Sequence, residues 1–206
     1  MRILLFLKAP RQGTVKTRLA KTLGKKSAQN IYRQLVEHQL ASLPGDADLE
    51  IHFAPADAEN EFKTWLGPDR LYTPQCEGDL GDRLSWAVHN AFNQGAGRVA
   101  CIGADCPGLT ADQFHEAENH LQSADVVVGP TIDGGYYLIA MNTYHPELFL
   151  DIPWSTSRTL EITLDKAERA HLRVHTLKTL EDVDHESDWV RLRSLINLPP
   201  QSRPRP

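Results

Sequence analysis

The feature that most constrains this chain is its opening run, Ile3-Leu4-Leu5-Phe6-Leu7, which is apolar at every position and passes straight into Lys8-Ala9-Pro10. A strand with one solvated face alternates apolar and polar residues. One that is apolar on both faces needs cover on both, as strands have in a parallel sheet sandwiched between helices. The pattern that follows fits that setting. Residues 27–43 place Tyr32, Leu35, Val36, Leu40 and Leu43 on one face of a helix. Further strands are predicted over 49–53, 71–73, 98–103, 125–129, 136–141 and 172–177. Helices are predicted from about Thr14 and over 57–66, 80–92, 110–121, 157–170 and 187–196. Thr110 and Gln113 have the spacing of a capping box. Strand and helix alternating in this way predict an α/β protein of one domain over residues 1–198. Its sheet is mostly parallel and Rossmann-like, with helices on both faces. The segment 199–206, rich in proline and arginine, is expected to be a disordered tail.

Composition narrows the function. A net charge of -5 repels polyanions, so nucleic acid is excluded as a partner and any bound anion needs a local cluster of cations. Cys76, Cys101 and Cys106 are odd in number and lack CxxC spacing, which points to reduced thiols and a cytoplasmic protein. The apolar run at the N-terminus is too short for a signal peptide, and no later stretch is long enough to span a bilayer. The nine histidines form no HExxH motif, so the sequence assigns no zinc. It specifies no oligomeric state.

In open parallel sheets ligands bind beyond the carboxyl ends of the strands, which directs attention to five loops. The first runs Lys8-Ala9-Pro10-Arg11-Gln12-Gly13-Thr14-Val15-Lys16-Thr17-Arg18. It turns at a glycine into a helix, whose outward N–H groups together with Lys16 and Arg18 suit a phosphate; the alternative is a solvated basic turn. It is neither a Walker A loop nor a GxGxxG fingerprint. In the second, Glu77-Gly78-Asp79-Leu80-Gly81-Asp82, Gly81 either lets the backbone approach a base or ribose, or belongs to a tight connection capped by Asp79. The third, Gly103-Ala104-Asp105-Cys106-Pro107, puts a carboxylate past a central strand, where Mg²⁺ would meet a substrate phosphate or where Asp105 simply satisfies turn amides. The fourth, Thr131-Ile132-Asp133-Gly134-Gly135, either holds an acceptor hydroxyl at Asp133 or is a D-G hairpin turn. In the fifth, Asp182-Val183-Asp184-His185-Glu186-Ser187-Asp188, helix capping accounts for the later residues and leaves Asp182 or Asp184 as a second metal ligand. Cys106 reads as packing, with no base beside it, and Trp154 as core or as a stacking platform.

Taken in order, these segments resemble the nucleotide-diphospho-sugar transferase superfamily, which is GT-A-like, and within it the bacterial DUF2064 group, whose members are named for glycosyltransferases. The likeness runs from Ile3 to about Ile196. It is carried by Lys8-Ala9-Pro10 with Gly13 and Val15-Lys16-Thr17-Arg18-Leu19, by Gly103-Ala104-Asp105-Cys106-Pro107, and by Gly129-Pro130 with Asp133-Gly134-Gly135-Tyr136-Tyr137-Leu138. Leu80-Gly81-Asp82-Arg83 and Trp154-Ser155-Thr156 support it. The resemblance implies a diphosphate or triphosphate cradled by Lys8, Lys16 and Arg18 in a loop that includes Ala9, Pro10 and Gly13. It implies a base and ribose pocket from Gln75 to Asp82, with Gly81 between them. It places Asp105 at the superfamily's metal aspartate and Asp184 at the second metal carboxylate of related cytidylyltransferases, so the implied cofactor is Mg²⁺ or Mn²⁺. The sequence departs from the D-T-P-E-D-like run of those enzymes at Asp184-His185-Glu186-Ser187-Asp188, and has no D-x-D at Asp105.

Three functions fit. The first is glycosyl transfer from an NDP-sugar to a small-molecule acceptor, with Lys16 and Asp133 as catalytic groups. The second is nucleotidyl transfer from an NTP to a phosphorylated acceptor, releasing pyrophosphate. The third is nucleotide binding without turnover.

Overall fold

A computed structural model describes residues 1–196. Seven strands form one sheet in the order β3-β2-β1-β4-β6-β5-β7. They are β1 (Arg2–Lys8), β2 (Asp48–Ala54), β3 (Leu71–Pro74), β4 (Val99–Ile102), β5 (Val126–Pro130), β6 (Tyr136–Met141) and β7 (Val174–Thr176). The α-helices among the described residues are α1 (Thr17–Leu23), α2 (Lys25–Ala41), α3 (Glu59–Leu66), α4 (Leu80–Asn93), α5 (Ala111–His120), α6 (Thr159–Arg169) and α7 (Glu186–Leu192). The expected mostly parallel α/β sheet is what forms. Only β6 runs against its neighbours, pairing antiparallel with both β4 and β5.

The opening run behaves as its composition dictates. Ile3, Leu5 and Leu7 enter the core on one face of the sheet, while Leu4 enters the other with Phe6 packed beside it. Leu4 and Leu5 are fully buried. Burying one such side chain contributes about 1.5–3 kcal/mol, so a strand loaded on both faces is held at the centre of a layered fold. Leu5 lies opposite Ile51 of β2 and Ile102 of β4, which puts β1 in the middle of the parallel half.

Local deviations have local causes. Helix α1 begins at Thr17 rather than near Thr14 because Lys16 takes a left-handed conformation, φ 46 and ψ 51, which a helix cannot propagate. The last helix stops at Leu192, and a short 3₁₀ turn follows at Arg193–Leu195. The strand predicted over 172–177 is reduced to Val174–Thr176 at the sheet edge. Thr110 and Gln113 meet as expected, Gln113 accepting from the Thr110 N–H at 2.9 Å. Among the described residues no helix is long and apolar enough to cross a membrane. The predicted tail at 199–206 and the domain end at 198 lie outside the described residues.

Candidate active site

The sheet order itself creates the cleft. From β1 the chain crosses to β2 on one side, whereas β4 lies on the other, so the loops after β1 and β4 part and leave a crevice at the carboxyl edge. A cavity of about 630 Å³ occupies this edge, lined among others by Lys8, Arg18, Gln75, Asp105, Asp133 and Asp184.

The loop after β1 is pinned at both ends. The Tyr32 hydroxyl donates to the Lys8 carbonyl and accepts from the Lys8 N–H, both at 2.9 Å. Ala9 N–H bonds to the Ala54 carbonyl at 2.7 Å, and the Gln29 side chain donates to the Pro10 carbonyl. Arg11 turns away from the cleft to Asp57 and Glu61 of the neighbouring helix layer. The loop then delivers Lys16, whose side chain is only 5% exposed and whose ammonium lies 2.7 Å from Asp105 and 3.2 Å from Asp184. Burial alone would lower the Lys16 pKa, but the two carboxylates more than reverse this and hold it raised and charged. Arg18 takes the other oxygen of Asp184 at 2.8 Å.

Asp105 and Asp184 come from distant parts of the chain. After β7 the chain runs along the β5–β6 loop, with Leu180 N–H on the Pro130 carbonyl and Ile132 N–H on the Leu180 carbonyl. Val183 N–H then bonds to the Asp105 carbonyl at 2.9 Å, which sets Asp184 beside Asp105. Asp182, the other candidate for a second metal ligand, is not on the Lys16 ammonium. Burial first, then Asp133 and Asp184, raise its pKa to about 6. Burial, with Asp105 and Asp182 nearby, also pushes the Cys106 thiol well up, so it stays a neutral packing group.

Asp133 is fixed by its own turn: its Oδ1 accepts from the Thr131 hydroxyl at 2.6 Å and the Gly135 N–H at 3.0 Å. Gly134, at φ +87, cannot be replaced without strain, since a Cβ there would sit 2.1 Å from the Ser157 carbonyl oxygen. Its own carbonyl accepts from Leu160 N–H at 2.9 Å, so the turn is locked onto the start of α6. The hairpin reading of Asp-Gly-Gly is what forms, and it sets Asp133 in the wall of the cleft.

The structure does not bring every expected residue to the cleft. Ala9, Pro10, Gly13, Lys16, Gly81 and Asp82 are outside its lining; Lys16 meets the cleft only through Asp105 and Asp184, which do line it. Gly81 is buried in α4, where a Cβ would meet the Phe149 carbonyl oxygen at 2.3 Å and the Trp154 indole nitrogen at 2.7 Å. Its small size serves packing, which corrects the expectation of a close approach to a ligand. Asp82 is engaged in the capping box of α4 with Asp79. Gly13 lies against the Lys25 side chain. Gln75 does line the cleft, but its amide donates to the Leu7 and His52 carbonyls and accepts from Arg83, so it braces the strand ends.

Sequence reasoning missed Tyr32, because a tyrosine on the apolar face of a helix gives no sign that its hydroxyl will reach a loop. It left Trp154 open between core and platform. The indole lines the cleft beside Tyr136, with ring centroids 6.2 Å apart and planes at 76°. The hydroxyl-bearing residues Ser155, Thr156 and Thr159 line the same wall.

A metal has a suitable donor set here. Asp105 and Asp184 are 50% and 32% exposed and both offer hard oxygens, with the Asp133 and Asp182 carboxylates lining the same cleft. The residues present fit a Mg²⁺- or Mn²⁺-type ion, with Lys16 now standing between the two carboxylates.

This combination of sheet order, reversed β6 and loop-borne cleft defines a GT-A-like member of the nucleotide-diphospho-sugar transferase superfamily. The chain belongs to the DUF2064 family, described as an uncharacterized protein conserved in bacteria, whose model matches residues 38–156. A Desulfovibrio desulfuricans G20 protein named for the nucleotide-diphospho-sugar transferases is 34% identical, covering 95% of this chain and 97% of its own, at a TM-score of 0.85. Two more distant structures share the fold. The inositol-1-phosphate CTP transferase from T. maritima is 11% identical, covers 95% of each chain and has a TM-score of 0.60. Rv0371C from Mycobacterium tuberculosis H37Rv, solved in complex with manganese, is 14% identical, covers 93% of this chain and 98% of its own, and has a TM-score of 0.53. No curated protein matches the sequence.

Proposed function

We propose that the protein is a metal-dependent transferase acting on a nucleotide-activated substrate, and that it moves a sugar from an NDP-sugar to a hydroxyl acceptor. The observation that carries the reading is the meeting of Lys16, Asp105 and Asp184 at one point of the cleft, contributed by three separate loops. A buried ammonium shared by two carboxylates ties three loops together beside the ligand edge. It makes sense where phosphate oxygens and a cation share the position.

In this reading Lys8, Lys16 and Arg18 hold the diphosphate, and Asp105 and Asp184 hold the Mg²⁺ or Mn²⁺. The metal, when bound, neutralises charge on the departing phosphate. With a metal on the two carboxylates, the Lys16 ammonium would be released to bond a phosphate oxygen. Asp133, steadied by Thr131 and Gly135, takes the proton of the acceptor hydroxyl. The acceptor oxygen bonds to the anomeric carbon as the bond from that carbon to the phosphate oxygen breaks, and NDP leaves with the electron pair. Trp154 with Tyr136 offers an apolar face for a sugar ring, and Ser155 and Thr156 offer hydroxyls at its rim.

The cationic loop favours a second reading, nucleotidyl transfer. Lys8, Lys16 and Arg18 would steady a triphosphate while a phosphorylated acceptor attacks the α-phosphorus and pyrophosphate leaves. A phosphorus NMR assay with Mg²⁺, NTP and NDP-sugar panels, and mixed acceptors separates the two. Release of NDP supports glycosyl transfer and release of pyrophosphate supports nucleotidyl transfer. Tight nucleotide binding with neither product leaves a binding module, and absence of any nucleotide binding overturns the proposal.

A further inference from the structure

Away from the cleft, Glu116 and His120 stand one turn apart on α5, and His175 faces them from β7. One ligand atom from each lies within 4.8 Å of the others. The two imidazoles stack with centroids 3.3 Å apart and planes at 10°.

Their lack of other partners is what sets these residues apart. Neighbouring charged groups are engaged: Glu118 pairs with the N-terminal ammonium and Arg98, and Asp125 with Arg173. Among the described residues neither the two imidazoles nor the Glu116 carboxylate has a hydrogen bond or an ion pair, and both imidazoles are partly buried. Two parallel imidazoles with unused nitrogens gain little from each other and repel if both are protonated. A cation that accepts both nitrogens and the carboxylate removes that conflict. Two nitrogens and one oxygen suit a borderline ion of the zinc type rather than Mg²⁺. A tetrahedral ion about 2.0–2.1 Å from each ligand sets the donor atoms roughly 3.4 Å apart, and because stacked rings cannot both hold one ion in their planes, binding swings one imidazole about its side-chain torsions until the two nitrogens converge.

We propose that Glu116, His120 and His175 form a zinc-type site that clips α5 to the edge strand β7. No single stretch of sequence carries the site: Glu116-x-x-x-His120 supplies the helical half and His175 comes from another element. β7 is three residues long and pairs with β5 alone, so such a tether would add to the hold that Asp125 has on Arg173 at its start. The chain leaving β7 carries Asp182 and Asp184, so the clip also braces the strand from which the cleft's acidic loop departs. None of the three ligands lines the cleft, and the site is independent of the transferase reading.

The test is calorimetric titration of the metal-stripped full chain with Zn²⁺, with thermal melts in parallel. With excess Mg²⁺ present to fill the cleft, one equivalent of Zn²⁺ should bind and raise Tm. His120→Ala and His175→Ala should each weaken binding at least tenfold, whereas His89→Ala and Asp105→Asn keep it. His175→Gln, which preserves side-chain bulk, guards against a folding defect: its metal-free circular dichroism should match the parent while the zinc response is lost. The proposal is overturned if Zn²⁺ neither binds nor shifts Tm. It is equally overturned if both histidine variants respond like the parent, or if Asp105→Asn abolishes the response.

Discussion

Lys16 places its ammonium 2.7 Å from the Asp105 carboxylate, and this contact ties the loop after β1 to the loop after β4 across the point where the sheet order reverses. Asp184 meets the same ammonium at 3.2 Å, so three segments remote in sequence close on one charge.

Removing that charge should expose the conflict it resolves. Lys16→Ala leaves Asp105 and Asp184 facing one another in a partly enclosed site. The cost is expected to be about 1–2 kcal/mol of folding stability, below that of a fully buried pair because water reaches both carboxylates, read from urea unfolding in chelator. The variant should also bind free Mn²⁺ more tightly than the parent by EPR titration, because the competing ammonium is gone, while nucleotide affinity falls. Unchanged Mn²⁺ affinity would show that Lys16 and the metal do not compete.

Asp105→Asn keeps the shape of the side chain and removes its charge. Metal-dependent nucleotide binding should be lost and turnover should fall by at least 100-fold, a deficit of roughly 2.7 kcal/mol in transition-state stabilisation. Metal-independent binding through Lys8 and Arg18 should persist. If the metal dependence of binding survives in the variant, Asp105 is not a metal ligand.

Gly134→Ala tests the turn that carries Asp133. The added methyl meets the Ser157 carbonyl and sits on a backbone at φ +87, so the expected loss is about 2 kcal/mol or more. Since Asp133 takes its hydrogen bonds from the same turn, kcat should fall more than nucleotide affinity. An equal change in both would mean that the turn does not act on the chemical step.

A pH effect is expected far from the chemistry. Glu50 is 5% exposed and accepts from the Thr73 hydroxyl at 2.6 Å; His52 lies 3.2 Å away. His52 foremost, then Thr73, hold its carboxyl below the usual 4.5 despite burial. A depressed folded-state pKa stabilises the protein above the unfolded value, and that stability is lost as pH falls below about 4.5. Glu50→Gln should therefore cost about 1–3 kcal/mol at pH 7, and the gap to the parent should narrow as unfolding is repeated below pH 4.5. A gap independent of pH would assign the loss to packing alone.

The sheet was readable from sequence because its signal is local and redundant. Ile3 to Leu7 announces two buried faces by itself, and β4 and β5 are similarly apolar. The loops that carry Lys16, Asp105, Asp133 and Asp184 were readable because strand ends locate them. What could not be read were contacts between separate elements. Nothing near Tyr32 hints that it clamps Lys8. Gly81 resembled a ligand-facing glycine because the Trp154 and Phe149 atoms that crowd it lie far along the chain. Likewise, only folding shows that Asp184, rather than Asp182, shares an ammonium with Asp105.

The reversal of β6 has a consequence for how such a cleft is walled. A strand that runs against its neighbours is entered from the ligand edge by a tight hairpin, with no crossover helix to reposition. The turn holding Asp133 is therefore a wall of the cleft that no parallel crossover carries, and its path is fixed instead by the lock of Gly134 onto the start of α6. In the proposed transferase reading, the loop after β1 grips the phosphate-bearing half of a donor while this hairpin faces the recipient, and the two belong to separate parts of the sheet edge.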